Sequence, residues 1–309
     1  MSPVLEELSA GALDWLGKNL DLFDPFSPEA RSATHGKAKA ALELALLCHC
    51  AARPDDAPDA LGGARALVRA LWQDPAFPAL FEDLPDHTST YGLVFAALAP
   101  DGIDDTQTRA VVARLAPAFL SPDGKSPYRR IEIRYYADKA GVRHGIEPYA
   151  DLLPDSPLVA FRAAGPEDPP VADGAPLTTP KAYALTHTAF YLGDFGRNSR
   201  LPEGFDPAGA RNLADLMLRH CVQHERWDLA AELVLTQSLL GGEPLDTPAG
   251  AAAVECLVRA QRPDGALPGR SAALAASPDA PAGEFFRKAY HTTLVTALMA
   301  LIVSSRERS

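Results

Sequence analysis

Apolar residues along the chain recur at intervals of three and four, and no run sustains the every-second-position alternation of a half-buried strand. The periodicity predicts helices over residues 3–20, 35–51, 58–73, 88–98, 105–119, 128–140, 179–194, 207–224, 228–241, 248–261 and 284–305, separated by Pro- and Gly-rich connectors. Thr179-Pro180 and Thr247-Pro248 each place a hydroxyl cap before a proline, whose missing N–H costs nothing in a first helical turn. Gly241-Gly242 supplies a stop after Leu240. Residues 152–177, dense in Pro, Asp and Gly, break the rhythm and predict a long connector, a lid or a domain boundary. The preferred reading is one helical domain over residues 1–309.

Composition narrows the class. Hydrophobic residues at 47% and charged residues at 22% allow a substantial core. A net charge of -11 argues against a broad nucleic-acid surface, which needs a dense field of Lys and Arg. The most apolar stretch, Leu294 to Val303, is shorter than the roughly 18 residues of a membrane span. Met1 to Asp24 reads as an acidic amphipathic helix without the basic start of a signal peptide, so a cytoplasmic protein is expected. Cys48, Cys50, Cys221 and Cys256 are too sparse for a disulfide framework and are read as reduced thiols in helix interiors. Cys48-His49-Cys50 has metal-binding residue types, but neighbours at i and i+2 point to different sides of a helix, and no metal is expected there.

The C-terminal part hints at repeated helical hairpins. Leu213 to His220 leads through a polar bend at Asp228 into Leu233-Val234-Leu235, and Leu257 to Gly265 bends at Asp264 and resumes through Leu294, Leu298 and Leu301. Such pairs stack as an open α-solenoid or close into an α/α toroid. Gln261-Arg262-Pro263-Asp264-Gly265-Ala266-Leu267 resembles the Gln-x-x-Asp-Gly-x-aromatic turn of the terpene cyclase and prenyltransferase superfamily, with Leu267 in the aromatic place. The layout is also similar to helical-toroid proteins of actinobacterial secondary metabolism. These resemblances imply an all-α fold of antiparallel hairpins forming an α/α toroid, and a biosynthetic setting. Gly102-Ile103-Asp104-Asp105 is similar to the Asp-x-Asp-Asp acid of class II terpene cyclases except that Gly102 stands first, and capping explains these aspartates better.

The richest candidate site lies between Thr179 and Gly196. On one helix Tyr183, His187, Tyr191 and Asp194 recur at spacings of four, four and three, which aligns them on a polar, aromatic stripe. His187 is read as an acid or base oriented by Asp194, with the tyrosine hydroxyls as donors. The bland alternative is a buried histidine among packing tyrosines. In a second cluster, Arg130 and Arg134 share one face and Glu132 and Tyr136 another, so the arginines could hold an anion while Glu132 carries a proton. Surface ion pairs are the ordinary explanation for such a run. His291 beside Tyr290, and His87 at a helix start, complete the candidates, together with His35 and Lys39.

No Gly-x-Ser-x-Gly elbow, His-Glu-x-x-His helix or phosphate-binding loop is present in the sequence. The expectation is therefore a metal-independent enzyme of secondary metabolism, without a cofactor, that cyclises, eliminates or isomerises a small-molecule natural-product intermediate by general acid/base chemistry. The alternative is a noncatalytic scaffold or ligand-binding subunit of a biosynthetic complex, as a homo- or hetero-oligomer. Neither nucleic acid nor membrane is expected as a partner.

Overall fold

The computed structural model describes residues 2–31, 37–51, 59–83, 85–165, 167, 171–198, 201–202, 205–269 and 282–306, and among these the spacing of apolar side chains becomes eleven helices of eight residues or more. They are α1 (Pro3–Lys18), α2 (Lys37–Cys50), α3 (Gly62–Gln73), α4 (Thr88–Ala97), α5 (Thr106–Ala113) and α6 (Pro127–Lys139). After these come α7 (Thr179–Leu192), α8 (Ala208–Gln223), α9 (Trp227–Leu239), α10 (Pro248–Ala260) and α11 (Ala282–Arg306). Among the described residues there is no strand, and no helix is long and apolar enough to cross a membrane.

Local signals set several of these boundaries. Ser126 and Thr247 cap α6 and α10, accepting from the backbone N–H of Arg129 and Gly250 with a proline in the first turn. The cap expected at Thr179 sits one residue earlier, at Thr178, and makes no side-chain bond; the Thr179 hydroxyl accepts from Arg226 instead. Gly241, at φ +77°, ends the chain's run after Leu240 as expected.

Six helices form an inner ring. α2 packs on α4, α4 on α6, α6 on α7, α7 on α9, α9 on α11, and α11 returns to α2. Outside them lie α1 against α11, α3 against α2, α5 against α4, α8 against α9, and α10 against α8 and α9. Outer and inner helices alternate along the chain, so the hairpins close into an α/α toroid, and the α11 contact with α2 separates this fold from an open solenoid. α9 is the most enclosed: Trp227 and all residues from Leu229 to Leu239 are buried, because α8 and α10 cover its back while α7 and α11 flank it.

The inner helices run the same way round. Three bonds from α6 to α7 and the turn just after it join Tyr128 to His187, Glu132 to Tyr191 and Tyr135 to Asp194, a constant offset of 59 residues that only parallel helices give. Tyr183 with Asp228 and Thr186 with Glu232 repeat the pattern between α7 and α9.

The place of an outer helix before α7 is taken by the segment in which a lid was expected. Its helical turns Tyr149–Leu152 and Pro157–Ala160 bury Leu152, Leu153 and Leu158, and the second packs on α7. Through Leu158, apolar side chains hold this segment to the outside of the ring.

The turn Gln261 to Leu267 fastens the ring's seam. Gln261 Nε2 donates to the carbonyl oxygens of Leu8 at 3.0 Å and Gly265 at 3.2 Å. Leu267, fully buried, donates its backbone N–H to Thr293 Oγ1 at 2.9 Å. Gly265 has φ +91°, and a Cβ there would stand 2.0 Å from the Gly11 carbonyl oxygen, so this position takes only glycine. The turn ties α1 to α11, a structural task sufficient to explain its residue pattern.

Candidate active site

All six inner helices contribute to one cavity of about 250 Å³. The first lining residue on each is polar: Lys39, Thr90, Tyr128, His187, Glu232 and His291. The last on each is apolar or aromatic: Leu46, Val94, Tyr136, Phe195 just beyond α7, Leu235 and Leu298. Because the helices are parallel, this order gives the cavity a polar end at the helix N-termini and an apolar end below. Phe195 reaches the apolar end through an unusual turn, in which Asp194 (φ +43°), Phe195 (φ +49°) and Gly196 (φ +85°) are all left-handed. Two such non-glycine residues in succession store strain that the ring of packed aromatics, Tyr135, Phe190 and Tyr191 around Phe195, must hold.

A row of titratable groups crosses the polar end. Glu43 Oε2 lies 3.1 Å from His291 Nδ1, and His291 Nε2 lies 3.9 Å from Glu232 Oε1. The same oxygen is 3.5 Å from His187 Nε2, while His187 Nδ1 is 3.3 Å from the Tyr128 hydroxyl. Glu232 is 1% exposed, and Thr186 donates to its other oxygen at 2.6 Å. A carboxylate so enclosed is tolerable only with such partners. On the facing wall Glu132 accepts from Tyr191 at 3.2 Å and from Arg129, whose second nitrogen reaches Thr90.

These contacts set the protonation states. Burial disfavours the His291 imidazolium, but Glu43 and then Glu232 outweigh it and raise its pKa to about 9. Burial likewise opposes charge on His187, and Glu232, with a smaller contribution from Glu132, raises its pKa above the ordinary 6.5. Glu43 is pulled the other way: burial alone would raise it, yet His291 and Lys39 hold it below the usual carboxylate value. Tyr128 and Tyr191 are pushed up, by burial first and by Glu132 second, so both stay protonated donors. The row can hold and move protons beside an apolar chamber, which is the chemistry that acid/base catalysis requires.

The structure brings together His187, Glu132, Tyr191, Tyr136, His291 and Lys39 on this cavity. It separates the remaining candidates. Asp194 lies past the end of α7, where Lys139 and the Tyr135 hydroxyl meet it at 2.8 Å each. It belongs to the opposite end of the ring and cannot orient His187, since the helix stops at Leu192 and the chain turns away. Arg130 bonds Glu147 and the Lys125 carbonyl, and Arg134 bonds the carbonyls of Ile146 and Glu147. Both clamp the chain after α6 on its outer side rather than hold an anion in the cavity. Tyr183 packs beside His187, with ring centroids 5.9 Å apart, but commits its hydroxyl to Asp228. Tyr290 does not line the cavity: it is stacked on Phe286 and edge-on to Phe23, with its hydroxyl directed to Glu43. His87 is exposed and reaches the site only by stacking on Tyr91, which does line it. His35 lies outside the described residues.

Sequence reasoning missed Glu232 and Glu43. Each is a lone carboxylate in an otherwise apolar helical stretch, Ala230-Ala231-Glu232-Leu233-Val234 and Ala41-Leu42-Glu43-Leu44-Ala45, and that isolation was the signal. Two other patterns were passed over. His220 and His224 stack at 4.2 Å on α8, in the outer layer. Asp55-Asp56-Ala57-Pro58-Asp59, with its Asp-Asp-x-x-Asp spacing, falls between α2 and α3, where Asp55 to Pro58 lie outside the described residues. Among the described residues no group of three or more His, Cys, Asp or Glu is placed to hold a metal ion. Cys48 and Cys50 are buried thiols raised to about 12 by desolvation, and the intervening His49 accepts from Arg197. Asp104 accepts from the Thr106 backbone N–H at 2.6 Å, at the first residue of α5, whereas Asp105 in the cap position makes no capping bond and pairs with Arg109.

Fold and cavity together define a helical-toroid protein with a two-histidine, three-carboxylate site, half-buried except for the enclosed Glu232. The chain belongs to the family described as a domain of unknown function, DUF6895, whose model matches residues 9–301 and so spans the whole ring from α1 to α11. No curated protein and no solved structure matches it significantly.

Proposed function

We propose that the cavity is the active site of an enzyme that cyclises, eliminates or isomerises a small natural-product intermediate by side-chain acid/base chemistry. The observation that carries this reading is the row Glu43, His291, Glu232, His187, Tyr128, with neighbours 3.1 to 3.9 Å apart, across the polar end of an apolar chamber. Glu132, on the facing wall, is the base that takes a proton from the substrate. His187, with Tyr128 beside Nδ1, is the acid that returns one at another atom, and His291, held as imidazolium between two carboxylates, stabilises negative charge as it develops. One proton leaves the substrate and one enters, so the exchange balances without an oxidant. The buried, unlinked thiols Cys48, Cys50, Cys221 and Cys256 fit a reducing compartment, hence the cytoplasm.

A noncatalytic ligand-binding subunit is the second reading, and the largely apolar wall below the polar row favours it. An outer-surface scaffold has less in its favour: among the described residues the large apolar side chains left exposed are Val4, Val159 and Val258, on three separate elements.

The test is a small-molecule extract of cells lacking this protein, incubated in D2O with wild-type, Glu132→Gln or His187→Ala protein and analysed by mass spectrometry. A compound converted by wild type with deuterium uptake, and spared by both variants, supports the enzyme. Retention of a compound without conversion overturns catalysis in favour of binding.

A further inference from the structure

We infer that the cavity takes a neutral molecule of about ten non-hydrogen atoms, with a hydrocarbon or aromatic body and one oxygen function at the end facing His187. The inference names the substrate class of the site proposed above and rests on that reading for the reaction, though not for binding. Three observations carry it.

Size comes first. A cavity of about 150 Å³ holds benzene, and 250 Å³ scales to about ten non-hydrogen atoms. Polarity is second. The order of lining residues down six parallel helices leaves one end rich in hydrogen-bonding groups and the other lined by Leu46, Val94, Phe195, Leu235 and Leu298, with the Tyr136 hydroxyl engaged by Tyr191. A ligand polar at both ends would leave buried groups unpaired at the lower one.

Charge is third and decides between ionic and neutral ligands. The charged groups of the cavity are already matched among themselves: Lys39 with Glu43, Glu43 with His291, and Glu232 with both histidines. Glu132 is matched by Arg129. A ligand carboxylate would have to displace Glu43 or Glu232 from His291 while facing Glu132 as well. A ligand ammonium would meet Lys39 and the His291 imidazolium. Either ion would have to break one of these pairs to gain a partner of its own, a cost that a carbonyl, hydroxyl or ether does not bring. The two arginines that the sequence offered for an anion, Arg130 and Arg134, are engaged with the chain outside the ring.

Three probes of equal size test this: acetophenone, benzoate and 1-phenylethylammonium, each titrated into the wild-type protein with the His187 and His291 imidazole resonances followed by NMR. Acetophenone should shift both resonances and bind at least tenfold tighter than either ion. Equal or tighter binding of an ion overturns the inference, and so does failure of all three to move those resonances. Neither result touches the D2O assay, which judges the reaction separately.

Discussion

Glu232 and His187 face each other across the contact between α9 and α7, with Oε1 3.5 Å from Nε2, and the same oxygen is also the nearer carboxylate atom to His291 Nε2, at 3.9 Å. One buried carboxylate therefore holds two imidazoles from opposite sides. The arrangement is unequal, because His291 has a second carboxylate in Glu43 at 3.1 Å whereas His187 has a phenol.

Replacing Glu232 with Gln should expose that inequality. His187 loses the main attraction that offsets its burial, and its pKa should fall below the ordinary 6.5. His291 keeps Glu43 and should fall less. Titration of the two histidine C–H resonances by NMR reads both, and an equal fall would show that Glu43 does not hold His291.

Stability should decline on the alkaline side for a related reason. The pKa of His291 is about 9 in the folded protein against an ordinary 6.5. A raised imidazole stabilises the fold fully below pH 6.5, and that contribution is lost as pH climbs through about 9. The groups facing it are Glu43 and Lys39 from α2 and Glu232 from α9. Urea midpoints measured from pH 6 to 10 should fall across this window in wild type, and fall less in Glu43→Gln, which removes the larger attraction.

The turn at the seam offers a contrast between two glycines. Gly265→Ala combines a left-handed backbone with a Cβ 2.0 Å from a carbonyl oxygen and should cost at least about 3 kcal/mol. Gly124 is also left-handed, at φ +69°, but has open space around it, so Gly124→Ala should cost about 1 kcal/mol. Urea denaturation of both proteins distinguishes conformational strain from the collision with Gly11.

The thiols should be silent in the native protein. Burial raises Cys48, Cys50 and Cys221 from 9.0 to about 12, leaving roughly a thousandfold less thiolate than an ordinary cysteine near neutral pH. Ellman's reagent should react with these three only after denaturant is added.

Helix positions were legible because burial on one side leaves a three-and-four pattern wherever a helix lies on a layered core, as in α1 and α8. Ring closure was legible only through a resemblance, since no local pattern says that α11 must meet α2. For the site, His187, Glu132 and Tyr191 stood out as polar groups at helical spacing. Asp194 misled because the same spacing was extended past Leu192, where three left-handed residues reverse the chain. Glu43 and Glu232 were harder to see: their partners lie 248 and 59 residues away at His291, and only the closed ring brings those positions together.

Gln261 reaches back 253 residues to Leu8. During synthesis the first five inner helices leave the ribosome before α11 exists, so their apolar faces line an open gutter, and Glu43 and Glu232 stand without the imidazole that lies between them. Until α11 closes the ring, that gutter is apolar surface open to foreign contacts.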